Sequence, residues 1–314
     1  MLLYRIPGQE IVRSHGVFLP VKSMHDFQGF VVSDADAEHF YAFHPMKQVR
    51  EVLHPKKIKP HNMDKASFTQ AVLKIQRAID QLGLVKMVLS RVISKPLEHT
   101  EPTELFEVLC DAYPNAFVYY FNDLNLGEWI GASPEVLLRR IHDHYFLMSL
   151  AGTRTSDGVP QWQDKEIVEQ RIVTDYLEEI LSSMQLEYET NGPYNHEAGP
   201  VIHLRTDVWF ESKEDITHEL IRRMHPTPAV CGIPPYLAQE SIKALEKHQR
   251  ELYTGVIGYM SKEQTHCYVN LRCAQIIDGV LHAYAGAGIT AESDPEAEWI
   301  ETENKSNTLI SLLN

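Results

Sequence analysis

Apolar and polar positions recur along this chain at two periods, and the switches between them divide it into short strands and a few amphipathic helices. Gly29-Phe-Val-Val-Ser and Phe40-Tyr-Ala-Phe predict two short strands of a meander. Between Met63 and Leu82 the residues Phe68, Ala71, Val72, Ile75, Ala78, Ile79 and Leu82 keep helical spacing, and Gly83 stops the helix. Lys86-Met-Val-Leu-Ser-Arg-Val-Ile-Ser94 then predicts a strand with Lys86, Val88, Ser90 and Val92 on one face and Met87, Leu89, Arg91 and Ile93 on the other. Both faces are largely apolar, so both should be covered. Lys86 is either drawn partly inside or, as is commoner for a lysine at a strand start, solvated.

A helix over 103–112 leads to strands at 116–121 and 127–131, a turn at Ala132-Ser-Pro-Glu135, and strands at 136–141 and 145–150. Glu135 stands where a strand resumes after a bend, a position that by itself reads as a surface turn. The longest helix should run from Asp164 to Met184. On it Val173, Leu177, Ile180 and Met184 form one stripe, which Glu166 and Glu169 continue towards the N-terminus. Carboxylates on a core stripe point inward, where an unpaired charge is expensive, so they need a cation. The alternative is that the first turns overhang the core edge.

Strand patterns follow at 201–206, 208–210, 255–260, 267–276 and 281–285, with a helix over 237–246. Two prolines flanking Thr227 make His225-Pro-Thr-Pro-Ala-Val-Cys-Gly-Ile-Pro234 a rigid loop that either grips a ligand or turns a corner. Arg272 interrupts an apolar alternation and is either paired inside or reaching an anion. Asp294-Pro295 reads as an N-cap and first helical position, starting a helix towards Leu313. Its Glu298, Glu301, Thr302 and Lys305 recur at three and four residues on one face. Such a face suits a hard cation with an anionic ligand, or simply faces water.

The 314 residues, 44% hydrophobic, suffice for a substantial core, and with no clear linker or repeat a single domain over 1–314 is expected. A formal charge of −14, from 29 basic and 43 acidic residues, argues against nucleic-acid or anionic-membrane partners, so an anionic substrate would need a metal or clustered bases. Neither a membrane span nor a signal core is visible, and the four cysteines form no metal or disulfide pattern, which points to the cytoplasm. No HExxH or other His/Cys ligand motif organises the sixteen histidines.

Taken together, Lys86-Met-Val-Leu-Ser-Arg, Gly131-Ala-Ser-Pro-Glu135, Leu150-Ala-Gly-Thr-Arg, Lys165-Glu-Ile-Val-Glu169, His225-Pro-Thr-Pro-Ala, Leu271-Arg-Cys-Ala and Ala285-Gly-Ala-Gly-Ile to Lys305 resemble one family. It is that of the chorismate-utilising enzymes, which includes isochorismate, salicylate, anthranilate and aminodeoxychorismate synthases. The motifs occur in the family's order over about residues 60 to 314. The resemblance implies an α+β chorismate-binding fold, with antiparallel sheets stacked at the centre, helices outside and the site in a cleft. It further implies Mg²⁺ on Glu169 and Glu301, with Glu166 and Glu298 as nearby carboxylates acting through water. Lys305 and the metal would hold the ring carboxylate of chorismate, while Arg272 and amides near Gly286 take the pyruvyl carboxylate. Thr227 and Ala229 would line the ring pocket, with Thr153 in the substrate-binding set. Two departures stand out: Gln170 occupies a position where the family usually has His, and the N-terminal part, about 1–60, looks shortened.

Within the family, members that add ammonia usually carry Gln where Lys86 lies, and aminodeoxychorismate synthases place a lysine nucleophile where this chain has Ala151. By that resemblance water is the nucleophile and isochorismate the product, as in the menaquinone and siderophore branch, with Lys86 as general base and Glu135 as general acid. A lysine of ordinary pKa, about 10.4, is only about 0.1% neutral near pH 7.5, so the assignment asks a strong shift of it, and the opposite shift of Glu135. A salicylate synthase, which goes on to eliminate pyruvate, is the nearest alternative, and a non-catalytic chorismate-binding module a more distant one. No glutaminase subunit is expected, and the chain should be a monomer or weak dimer.

Overall fold

The computed structural model describes residues 1–21, 27–46, 58–155, 161–198 and 201–313. In chain order its strands are β1 (Leu2–Arg5), β2 (Val12–Ser14), β3 (Gly16–Pro20), β4 (Gly29–Ser33), β5 (Phe40–Pro45), β6 (Lys86–Pro96), β7 (Phe117–Asp123), β8 (Gly127–Ser133), β9 (Val136–Ile141) and β10 (His144–Thr155). Then come β11 (Tyr188–Ala198), β12 (Val201–Glu211), β13 (Gly232–Ile233), β14 (Val256–Met260), β15 (Gln264–Val269), β16 (Cys273–Ile277) and β17 (Val280–Ile289). The helices are α1 (Lys65–Leu82), α2 (Pro102–Ala112), α3 (Asp164–Ser183), α4 (Thr217–Met224), α5 (Pro235–Leu245) and α6 (Pro295–Ile310).

Among the described residues the strands make two antiparallel sheets, which with the helices give the expected α+β class. The first has the order β13-β6-β17-β16-β8-β7-β1-β2 and the second β11-β12-β10-β9-β15-β14-β4-β5-β3. Their inner faces meet through aromatic and aliphatic side chains, with Tyr4, Phe117, Phe121 and Trp129 from one sheet against Phe18, Phe30, Ile257 and Tyr268 from the other. Helices cover the outer faces. Phe68, Val72 and Ile75 of α1 and Ala238 of α5 pack on Met87, Leu89, Ala287 and Ile289 of the first sheet. On the second, Leu177 and Leu181 of α3 and Leu220 and Ile221 of α4 pack on Leu138, Leu147 and Val208. No helix among the described residues is long and apolar enough to cross a membrane.

The two-residue period of β6 falls as expected: Val92 joins the inner cluster and Met87 and Leu89 the outer one. Lys86 therefore points between the sheets, and it is fully buried rather than solvated. β4 and β5 form the expected meander, while β1 to β3, β11 and α4 had no reading in the sequence. The core face of α3 follows the expected stripe and widens it: Val173 and Leu177 are buried, Ile180 and Met184 are half-buried against the same core, and Gln170, Thr174 and Leu181 are buried beside them. Hydrogen bonds admit the polar pair, since Gln170 Nε2 donates to Thr174 Oγ1 at 2.8 Å and to Thr206 Oγ1 at 2.7 Å.

Candidate active site

A cleft opens between the sheets, lined among others by Val88, Glu135, Glu169, His203, Ala229, Arg272, Gly286 and Lys305. Six of the sequence-derived site residues thus share one wall-to-wall space. Lys86 adjoins it through an ion pair, its Nζ lying 2.8 Å from Glu169 Oε1.

Each side chain is delivered by a short local device. Asp294 caps α6, accepting from Ala297 N–H at 2.8 Å with Pro295 in the first turn, and so fixes the phase of Glu298, Glu301 and Lys305. Lys305 Nζ bridges Glu301 Oε1 at 2.6 Å and the Gly286 carbonyl at 3.0 Å. Pro134 breaks the chain between β8 and β9 and turns Glu135 inward, 5% exposed, correcting the surface-turn reading. Gly288 on β17 is required by close approach: a Cβ there would sit 2.2 Å from Glu169 Oε1 and 2.9 Å from Lys86 Cε.

Three carboxylates are matched by three lysines. Glu169 pairs with Lys86, Glu301 with Lys305, and Glu298 with Lys165, a residue not singled out in the sequence. Burial works against the charge on Glu169, but Lys86, Lys165 and Lys305 outweigh it and hold the carboxyl below the usual range. Burial, then the neighbouring Glu301, pushes Glu298 up. Burial alone would lower the Lys165 ammonium, yet Glu298, Glu301 and Glu169 together raise it. Glu298 Oε2 is buried with no hydrogen-bond partner. Among the described residues no three His, Cys, Asp or Glu side chains close on a common point.

Glu166 does not join this group. Its Oε2 accepts from the Gln163 N–H at 3.1 Å in a capping box, so the helix end claims it. Thr227 is buried with its hydroxyl unpartnered, and it is its neighbours Ala229 and Val230 that line the cleft. Thr153 lies on β10, and its side chain is outside the described residues.

Burial pushes the Glu135 carboxyl up to about 8, only partly countered by Lys86, Lys305 and Arg272. Arg272 sits at φ 48 and donates from Nη1 to the Lys305 carbonyl at 3.0 Å and to Thr308 Oγ1 at 3.3 Å. Burial lowers this guanidinium to about 10. Its Nη2 lies 3.3 Å from His203 Nε2, while His203 Nδ1 lies 3.0 Å from the Gly152 carbonyl. Burial and then Arg272 drive the His203 pKa well down, so the ring is neutral with its proton on Nδ1 facing that carbonyl. His203 was missed in the sequence; a lone histidine inside the apolar run Val201-Ile-His-Leu was the available signal. The cleft is therefore locally cationic in a chain of net charge −14, as an anionic ligand requires.

The chorismate binding enzyme family model matches residues 32–314, and the chain belongs to that family. It is 32% identical over 266 residues to the isochorismate synthase MenF of Escherichia coli, covering 81% of this chain and 61% of that one. It is 29% identical over 273 residues to anthranilate synthase component 1 of Aquifex aeolicus, covering 80% of this chain and 54% of that one. The chain thus spans less than two thirds of the length of these relatives. In structure it is similar to the Bacillus anthracis chain DhbC, assigned as a 2,3-dihydroxybenzoate-specific isochorismate synthase. There the TM-score is 0.83 at 24% identity, over 99% of this chain and 95% of that one, which shows the shared fold.

Proposed function

We propose that this chain is an isochorismate synthase, an isomerase that adds water at C2 of chorismate while the C4 hydroxyl leaves. The observation that carries the reading is the pairing of Glu135, a carboxylic acid still protonated at neutral pH, with the buried amine of Lys86 around one cationic cleft. Lys86 takes the proton of the attacking water. A bond forms from that oxygen to C2, the two conjugated ring double bonds each shift one position, and the C4–O bond breaks. Glu135 gives its proton to the departing hydroxyl, which leaves as water, so atoms and charge balance. Arg272 and Lys305 hold the two substrate carboxylates, and Tyr253, Tyr284 and Ala229 close the apolar side of the ring.

The residues fit the Mg²⁺ that the family implies. Glu169, Glu298 and Glu301 offer an all-oxygen donor set, each is neutralised by its own lysine, and Glu298 keeps an orphaned oxygen. Glu169 and Glu301 would be the ligands, with Glu298 beside them. Bound there, the ion would supply positive charge to the carboxylates and to a substrate carboxylate.

Chromatography of products after incubation with chorismate, with Mg²⁺ and after chelation, tests the proposal. Isochorismate formed only with the metal is the expected result. Salicylate with pyruvate would make the chain a salicylate synthase, an amino product formed with ammonium salts would place it with the ammonia-adding members, and binding without product would make it a binding module.

A further inference from the structure

Behind the cleft lies a buried ion pair that the chemistry above does not use. Arg250 donates to Glu246 from Nε at 2.9 Å and from Nη2 at 2.7 Å, and the two side chains are only 9% and 2% exposed. Hydrophobic residues of similar volume commonly hold a fold as well as such a pair does, so its reason is to be sought in geometry.

That geometry is the edge of β6. The short strand β13 pairs there through Lys86 with Ile233 and Met87 with Gly232, and Val88 N–H donates to the Cys231 carbonyl at 2.7 Å. Beyond that point no strand among the described residues continues the ladder. The carbonyls of Val88 and Val230, two acceptors that cannot bond each other, both receive the Arg250 guanidinium at 2.8 Å. One step on, Glu246 Oε1 accepts the Ser90 N–H at 2.7 Å and the Ser90 hydroxyl at 2.8 Å. The ion pair thus stands in for a missing strand. Val88 and Val230 both line the cleft, and Ser90 lies opposite Gly286 on β17.

We propose that Arg250, locked by Glu246, is a positioning residue that fixes β6 with its Lys86 against the loop 225–231 with its Thr227 and Ala229. In catalytic terms it sets the spacing between base and substrate ring, a role that rests on the isochorismate synthase reading.

The test uses the full chain. Replacing the pair together, Glu246→Leu with Arg250→Met, keeps volume and removes the buried charges. The expected result is a lowered thermal midpoint, because the Val88 and Val230 carbonyls and the Ser90 N–H lose these partners, with kcat of the folded protein lowered about 100-fold and KM within about threefold, as for a misplaced catalytic group. Hydrogen–deuterium exchange, which needs no turnover, should show lost protection confined to 85–92 and 226–233. Guanidinium added to Arg250→Ala should restore kcat by about tenfold or more by refilling the vacated preorganised donor position; it can enter through the adjoining cavity that Arg250 and Glu246 line. A folded double variant with wild-type kcat or unchanged exchange overturns the proposal, as does a kcat loss that only tracks the folded fraction and resists guanidinium. Wild-type product identity judges the function separately, because the variants are scored as ratios to wild type.

Discussion

The space between the two sheets is filled in two opposite ways. In one region rings from both sheets interlock, with Phe117 against Tyr268 at 4.6 Å between centroids and Phe18 against Phe121 at 4.8 Å. In the other, Lys86, Glu135 and Arg272 are packed as charged or titratable groups at comparable burial, with Glu169 half-buried against Lys86. Tyr253 and Tyr284 mark the seam, belonging to the aromatic cluster and lining the cleft. Apolar burial stabilises at roughly 25 cal/mol per Å², whereas buried ions at best offset their own desolvation. The aromatic region therefore holds the sheets together, and the ionic region is carried by it for chemistry.

Three substitutions probe that division, the first two on the ionic side. Lys86→Ala should lower kcat by about 10³- to 10⁴-fold, towards the upper range of a lost general base, while the folded variant still binds chorismate by calorimetry; its melting temperature should fall, because Glu169 loses its buried partner. A variant that kept turnover would remove Lys86 from the chemistry. A smaller effect is expected for Glu135→Gln, about 10²- to 10³-fold, and it carries a pH signature. With the Glu135 carboxyl up at about 8, kcat/KM should fall tenfold per pH unit above that value as the acid is lost. The Gln variant should lack this limb. Stability has a matching sign. A carboxyl raised above its unfolded value contributes stability that is complete below the unfolded pKa and lost as pH rises through about 8, so Glu135→Gln should flatten that decline in urea titrations.

The two regions were not equally legible in the sequence. Although taken alone Lys86 read as more commonly solvated and Glu135 as a surface turn, the ionic side showed itself through glutamates at helical spacing behind an Asp-Pro cap and through the ordered motifs of the resemblance. Much of the aromatic side did not. β1 is only Leu2–Arg5, and it becomes a strand because β7 and β2 flank it. β11 reads Tyr-Glu-Thr-Asn-Gly-Pro-Tyr-Asn-His-Glu-Ala, with no apolar alternation, and exists as the edge partner of β12. On α3 the burial of Gln170 and Thr174 followed hydrogen bonds to Thr206 and Ser149, which hydrophobicity cannot foresee. Lys165 was passed over for the same kind of reason, since its partner Glu298 lies 133 residues away.

The seam offers the finest test of the division. Tyr119 is fully buried, and its hydroxyl donates to Asn270 Oδ1 at 2.7 Å, while Asn270 Nδ2 donates to the Leu252 carbonyl at 2.8 Å, one residue from Tyr253. Tyr119→Phe keeps the ring and strands the amide oxygen, so stability should fall by about 1–2 kcal/mol, the penalty of one unsatisfied buried acceptor. If the aromatic region serves only to hold the sheets, kcat should stay within about twofold, because general-base geometry tolerates no more than small displacements before rates collapse. A tenfold loss of kcat at unchanged folded fraction would mean that the hydroxyl, through Asn270 and Leu252, sets the position of Tyr253 on the cleft wall. The boundary would then be a mechanical coupling and not a division of labour.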